Sequence, residues 1–146
     1  MEIKNYIKSS KQFDIEELLN FAIQKLNITP NIKITIMYNT ALLDKLSEDI
    51  EFSALLQNPV PNQYLLYIRE GAISAQILCH ELIHLQQYDK GDLKINKNFT
   101  EIIWKGNKFD NSIPYNKREW EIEAFSKQNA LWKSFKKFKK QEKNGH

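Results

Sequence analysis

The fold of this chain depends on one segment, Ala72-Ile73-Ser74-Ala75-Gln76-Ile77-Leu78-Cys79-His80-Glu81-Leu82-Ile83-His84-Leu85-Gln86-Gln87-Tyr88. Gly71 separates it from the preceding apolar run. When the segment is placed on a helix, apolar residues occupy almost every face, which is typical of a helix buried on all sides. We therefore expect a central helix from Ala72 to Tyr88, with the remaining elements packed around it.

This helix contains His80-Glu81-Leu82-Ile83-His84, an HExxH motif. The four-residue spacing places His80 and His84 on one face about one turn apart, so they can bind one metal ion. Glu81 is rotated away from that face, within the reach needed to polarise a metal-bound water. Burying these polar groups without a partner is costly, and a metal removes that cost. The alternative is a degenerate site that keeps the fold.

Length and composition favour one compact domain spanning residues 1–146, with 42% hydrophobic residues. The first ten residues lack the apolar run of a secretory signal, and no apolar stretch is long enough to cross a membrane. Cys79 is the only cysteine, which suits a reducing compartment and excludes a cysteine-based zinc site. We expect a cytoplasmic monomer without a membrane partner, whose metal ligands are histidines and carboxylates.

Patterns elsewhere in the chain alternate between helix and strand. They predict a helix over Asp14–Asn27, a strand over Ile32–Tyr38, a short helix over Leu42–Leu46, a hairpin of Glu51–Gln57 and Gln63–Arg69, a polar connection over Asp89–Asn98, a strand over Phe99–Trp104 and a last helix over Lys117–Lys139. The predicted fold class is α+β, with a small twisted, mostly antiparallel sheet packed on the HExxH helix.

A catalytic zinc site usually has three protein ligands, so a third is needed. The last helix carries three acids, Glu119, Glu121 and Glu123. Register places Glu121 on the stripe that carries the large apolar groups, including Phe125, and this stripe should face inward. Glu123 shares a different stripe with Lys127 and pairs with it more naturally in solvent. Glu121 is the expected ligand and Glu123 the alternative, while a fully solvated face for all three acids stays open.

The HExxH motif, followed by Glu121-Ile122-Glu123-Ala124, resembles the gluzincin group of zinc peptidases, in particular its very small single-domain members. The resemblance covers roughly residues 64–132. It implies a zincin-like fold with a C-terminal glutamate helix and one Zn²⁺ ion held by His80, His84 and Glu121. It also implies peptide-bond hydrolysis by a metal-activated water, with Glu81 as the general base.

The same resemblance implies how substrate would bind. An extended peptide would add as a strand along Gln63–Arg69, taken as the edge of the sheet. Tyr115 and Arg118, just ahead of the glutamate helix, are candidates for contacting the oxyanion or the substrate. Alternatively, Tyr115 packs in a turn and Arg118 pairs with a nearby acid. Phe125 stands where the gluzincin pattern has an Asp or Asn that supports a metal-binding histidine, so either another group takes that role or the site is weaker.

Two other functions remain open from the sequence. The first is a catalytically silent or latent regulatory protein on a zincin scaffold, because a fold does not settle activity. The second rests on the Lys-rich helix end, residues 133–146, in a chain of net charge +3. Lysines and aromatics interleave there, as in nucleic-acid-binding segments. Helical spacing gathers Trp132, Phe135 and Phe138 on one apolar face, so we expect them to dock the helix and expect no nucleic-acid partner.

Overall fold

The computed structural model describes residues 1–9, 12–46 and 52–144. Its elements are β1 (Glu2–Asn5), α1 (Ile15–Lys25), β2 (Lys33–Tyr38), α2 (Thr40–Leu46), β3 (Ala54–Val60), β4 (Gln63–Ile68), α3 (Ala75–Asp89), β5 (Leu93–Ile95), β6 (Glu101–Trp104), β7 (Asn107–Asp110) and α4 (Glu119–Asn144). A 3₁₀ turn over Tyr115–Lys117 precedes α4. The fold is mixed α+β, and the predicted strand start at Glu51 lies outside the described residues.

The larger sheet has the strand order β1-β2-β4-β3. β2 pairs in parallel with both β1 and β4, and only β3 and β4 are antiparallel. The prediction of a mostly antiparallel sheet is wrong here, because α2 and β3 return the chain so that β4 runs in the direction of β2. The prediction of Gln63–Arg69 as an edge is also wrong, since β4 lies between β2 and β3. The edge beside α3 is β3.

A second sheet, β5-β6-β7, is antiparallel and follows α3. Its first strand falls inside Asp89–Asn98, which the sequence predicted to be a polar connection. Leu93 is buried there at 2% exposure and Ile95 packs against the core, so two apolar side chains anchor this short strand within a polar segment. β6 begins two residues later than predicted, because Phe99 has a φ of 58°, which an extended strand does not allow.

Two side-chain caps set where α1 and α3 begin. Asp14 accepts a hydrogen bond from the backbone N–H of Glu17 at 3.0 Å, which confirms the predicted start of α1. Ser74 accepts from the N–H of Ile77 at 3.2 Å, so α3 begins at Ala75 instead of Ala72. Most of α3 is buried, as predicted, and Cys79 is a free, fully buried thiol in its core.

α4 docks onto α1 through aromatic side chains. Phe21 of α1 packs on Phe135 at 5.5 Å between ring centroids and on Phe138 at 5.1 Å. Trp132 makes an edge contact with Phe13 at 5.7 Å. The prediction that these aromatics dock the helix is confirmed. In the parts of the chain that the structure describes, no helix has the length and apolar character needed to cross a membrane.

Candidate metal centre

Three side chains from two helices converge on one point. The Nε2 atoms of His80 and His84 each lie 2.8 Å from Oε1 of Glu121. The two histidines project from one face of α3, and Glu121 projects from the first turn of α4. One potential ligand atom from each residue lies within 4.8 Å of the other two, so this group could hold a metal ion. The structure thus brings together the three ligands that the sequence predicted.

One glutamine contacts the Nδ1 atom of each imidazole, on the side away from Glu121. Oε1 of Gln128 lies 2.8 Å from Nδ1 of His80, and Oε1 of Gln87 lies 2.7 Å from Nδ1 of His84. An amide oxygen only accepts, so each Nδ1 must carry the proton. This arrangement directs the lone pair of each Nε2 towards Glu121, as metal-binding histidines require. The sequence analysis missed both glutamines, although Gln87 lies one turn after His84 in an apolar helix.

The donor set fits a cation. When Nδ1 carries the proton of a neutral imidazole, both Nε2 atoms and the Glu121 carboxylate are acceptors that face one another. Such a cluster needs a positive charge at its centre, either protons or a metal ion. Burial alone would lower the pKa of His84, but the Glu121 carboxylate outweighs burial and raises it to about 9. Burial would raise the pKa of Glu121, yet the two histidines hold it well below its usual range.

Glu81 lies beside the cluster and outside it. Its side chain is buried at 7% exposure, and a backbone hydrogen bond from Leu56 in β3 holds the carboxylate. Burial raises the pKa of Glu81 above its ordinary value, while His84 and His80 oppose that shift. A buried carboxylate with a raised pKa next to a potential metal site is suited to accepting and returning a proton near neutral pH.

The three acids of the last helix have three different environments. Glu119 accepts a hydrogen bond from the indole N–H of Trp104 at 2.9 Å. Glu123 accepts from the amide nitrogen of Gln87 at 3.1 Å and lies 3.8 Å from the Lys127 ammonium. Only Glu121 reaches the histidines. The alternative ligand Glu123 therefore lies outside the cluster, and its predicted pairing with Lys127 is confirmed.

Tyr115 and Arg118 differ in where they point. The Tyr115 hydroxyl donates to Oε1 of Glu121 at 3.2 Å, so it lies at the cluster. Burial and the nearby Glu121 raise the pKa of this phenol far above its usual range, which keeps it a donor. The Arg118 guanidinium instead donates to the backbone carbonyls of Ile113 and Asn111, both at 3.1 Å. Arg118 therefore fixes the loop that carries Tyr115, and it does not face the cluster.

Phe125 packs on the ring of His80 at 4.4 Å between centroids while remaining 53% exposed. The expectation that its stripe faces inward is therefore only partly right, because Phe125 covers the outer side of His80 at the surface. The side chain that contacts Nδ1 of His80 is instead Gln128, one turn further along α4.

A narrow cavity connects the cluster to a wider cleft. The cavity measures about 40 Å³ and lies between β3, β5 and the side chains of Glu81, His84 and Glu121. That volume holds a water molecule but no amino-acid residue. A cleft of about 410 Å³ continues from it past Tyr115 towards the loop before α4.

Comparison with known proteins adds no relative: neither a protein-family model, nor a curated protein, nor a solved structure shows significant similarity to this chain. What can be said of its function therefore rests on the geometry of the cluster.

Proposed function

We propose that this protein is a zinc-dependent metallopeptidase of the gluzincin type, with a zincin-like fold. The observation that carries the proposal is the convergence of His80, His84 and Glu121, in which both Nε2 atoms lie 2.8 Å from Oε1 of Glu121, next to the buried Glu81. Two histidines and a glutamate with an adjacent carboxylate base form the donor set of catalytic zinc sites that hydrolyse peptides.

A zinc ion bound there would acidify a coordinated water and polarise the carbonyl of the scissile bond. Glu81 accepts a proton from the attacking water and returns it to the leaving amine, which its raised pKa favours. The Tyr115 hydroxyl is the nearest neutral donor for the oxyanion that develops on the carbonyl oxygen. No covalent bond between protein and substrate is needed.

The substrate would be an extended peptide along β3. The backbone carbonyl of Ser53 accepts a hydrogen bond from the Arg69 N–H at 2.8 Å, so the backbone of Ser53 faces β4. Because successive residues of a strand direct their backbone groups to opposite sides, the N–H and carbonyl groups of Ala54 and Leu56 point away from β4. The Leu56 carbonyl accepts from the Tyr88 hydroxyl, and its N–H holds Glu81. Ala54, which lines the narrow cavity, is thus the position where a peptide would pair with this edge once β3 and β5 separate.

The test is cleavage of an unfolded protein, such as reduced casein, by the zinc-loaded chain and by Glu81→Gln. We expect Glu81→Gln to keep one zinc per chain and to lose cleavage by about 10²- to 10⁴-fold. Glu16→Gln, on the exposed side of α1, is the matched control and should cleave normally. Equal cleavage by wild type and Glu81→Gln would reject the mechanism.

A second candidate is a latent or silent regulatory protein on the same scaffold. The narrow cavity favours it, because about 40 Å³ between β3 and β5 admits no peptide unless these strands separate. For such a protein the wild-type chain binds zinc and cleaves nothing. Limited proteolysis or mild denaturant that releases cleavage in wild type, but not in Glu81→Gln, would identify a latent enzyme.

A further inference from the structure

The side-chain amide of Gln87 is enclosed by three polar groups. Its oxygen faces Nδ1 of His84 at 2.7 Å. Its nitrogen donates to the Trp120 carbonyl at 3.0 Å and to Oε1 of Glu123 at 3.1 Å. Gln87 is buried at 1% exposure, so no solvent competes for these bonds.

The enclosure permits only one orientation of the amide. Both groups at the nitrogen end are acceptors, and a flipped amide would place its oxygen against a carbonyl and a carboxylate. The Gln87 oxygen therefore has to face His84. Glu123, which does not touch the cluster, in this way determines which atom of Gln87 meets the imidazole.

Gln128 offers a contrast within the same site. Its oxygen lies 2.8 Å from Nδ1 of His80, but it is only partly buried. Among the described residues its amide nitrogen has no hydrogen-bonding partner. His84 is thus held by an amide with partners at both its oxygen and its nitrogen, and His80 by an amide held at its oxygen alone.

We infer that Gln87 and Glu123 act together as positioning residues that hold His84 with Nε2 directed at the metal. The chain of contacts runs from Glu123 to Gln87 to His84, and Lys127 lies at its outer end, 3.8 Å from Glu123. The inference rests on metal binding in the proposed function, and it is independent of whether the protein cleaves peptides. Glu123, which the sequence suggested as an alternative ligand, would then act on the site indirectly, through Gln87.

The test is zinc affinity, measured by competition with a chromophoric chelator at fixed pH. Gln87→Met removes the acceptor at similar volume and should weaken binding by about 10- to 100-fold. Gln128→Met should weaken it less, because that amide is not anchored. Gln86→Met is the matched control: Gln86 donates to the Leu26 carbonyl at 3.1 Å, away from the cluster, and this variant should bind like wild type.

Exchanging the amide of Gln87 and the carboxylate of Glu123 distinguishes a positioning role from a merely structural one. Gln87→Glu alone sets two carboxylates against each other and should weaken zinc binding. Adding Glu123→Gln supplies a donor to the new carboxylate and should recover part of the loss, because the acceptor facing His84 is kept, while the Trp120 carbonyl still opposes the second oxygen. Nitrogen-15 NMR of the zinc-loaded protein should show a slowly exchanging Nδ1–H on His84 that Gln87→Met loses.

The measured zinc affinities test the role of Gln87 and Glu123 separately from the proposed peptidase function. Unchanged affinity in Gln87→Met, or no recovery in the double variant, overturns this inference and leaves the proposed function intact. The expected affinities in a protein that cleaves nothing support the inference and count against the proposed peptidase. A wild-type chain that binds no zinc at all rejects both.

Discussion

Oε1 of Glu121 lies 2.8 Å from Nε2 of His84, although 37 positions separate the two residues in the chain. Between them lie the end of α3, the whole β5-β6-β7 sheet and the 3₁₀ turn. These elements bring a carboxylate on α4 against the histidine face of α3. When His84 is neutral with its proton on Nδ1, this contact joins two acceptor atoms, which need a proton or a metal ion between them.

Glu121→Ala should abolish zinc binding, because it leaves two histidines where a catalytic site needs three ligands. Glu123→Ala should still bind one zinc per chain when zinc is in excess, with weaker affinity. Elemental analysis of the purified variants after dialysis in excess zinc measures the difference. If zinc were lost only from Glu123→Ala, our ligand assignment would be wrong.

The metal-free protein should become less stable as pH rises from about 6.5 to about 9. His84 has a folded pKa of about 9 against an ordinary value of 6.5, so its contribution is complete below pH 6.5 and is lost as the pH passes 9. Urea unfolding in EDTA across this range should show a falling midpoint. With saturating zinc the fall should be much smaller, because the metal replaces the proton. A midpoint that rises with pH in EDTA would contradict the pKa assigned to His84.

Tyr115→Phe should retain zinc and lower kcat by about 10²-fold, since removing one oxyanion donor typically has an effect of this size. KM should change little, because the hydroxyl acts on charge that develops in the transition state. Tyr38→Phe, in β2 and away from the cluster, is the control. A Tyr115→Phe enzyme with wild-type kcat would leave the phenol with only the structural contact to Glu121.

Ser74→Ala should lower the free energy of unfolding by about 1 kcal/mol, because it removes the N-terminal cap of α3. The cap lies six residues before His80 and does not touch the cluster, so zinc stoichiometry should stay at one. Chemical denaturation compared with Asp14→Ala, which removes the cap of α1, should give losses of similar size. A loss near zero would show that α3 is held by packing alone.

The sequence predicted the ligands because helical register relates residues that are close in the chain. His80 and His84 are one turn apart, and Glu121 was distinguished from Glu123 by its stripe and by its match to the gluzincin pattern. Gln128, which contacts His80, was not predictable in this way, because it reaches His80 only after α3 and α4 have packed. Register within one helix carries no information about which residues of another helix it will meet.

Strand positions were predictable, but strand neighbours were not. Alternation located β2 and β4, whereas their parallel pairing depends on how α2 and β3 return the chain. β5 was missed because only Leu93 is deeply buried in a short polar segment. The proposed substrate edge is therefore β3 and not β4, since an edge is defined by the pairing of the whole sheet.

The joining of α3 and α4 at one cluster makes a bound ion a cross-link between two distant parts of the chain. Such a cross-link would stabilise the folded state in proportion to the logarithm of free metal concentration. Depletion of the metal would then loosen the packing of α4 and expose the chain to proteolysis, whether or not the protein catalyses the proposed reaction. If the ion is zinc, as we propose, the abundance of this protein should accordingly follow the supply of zinc.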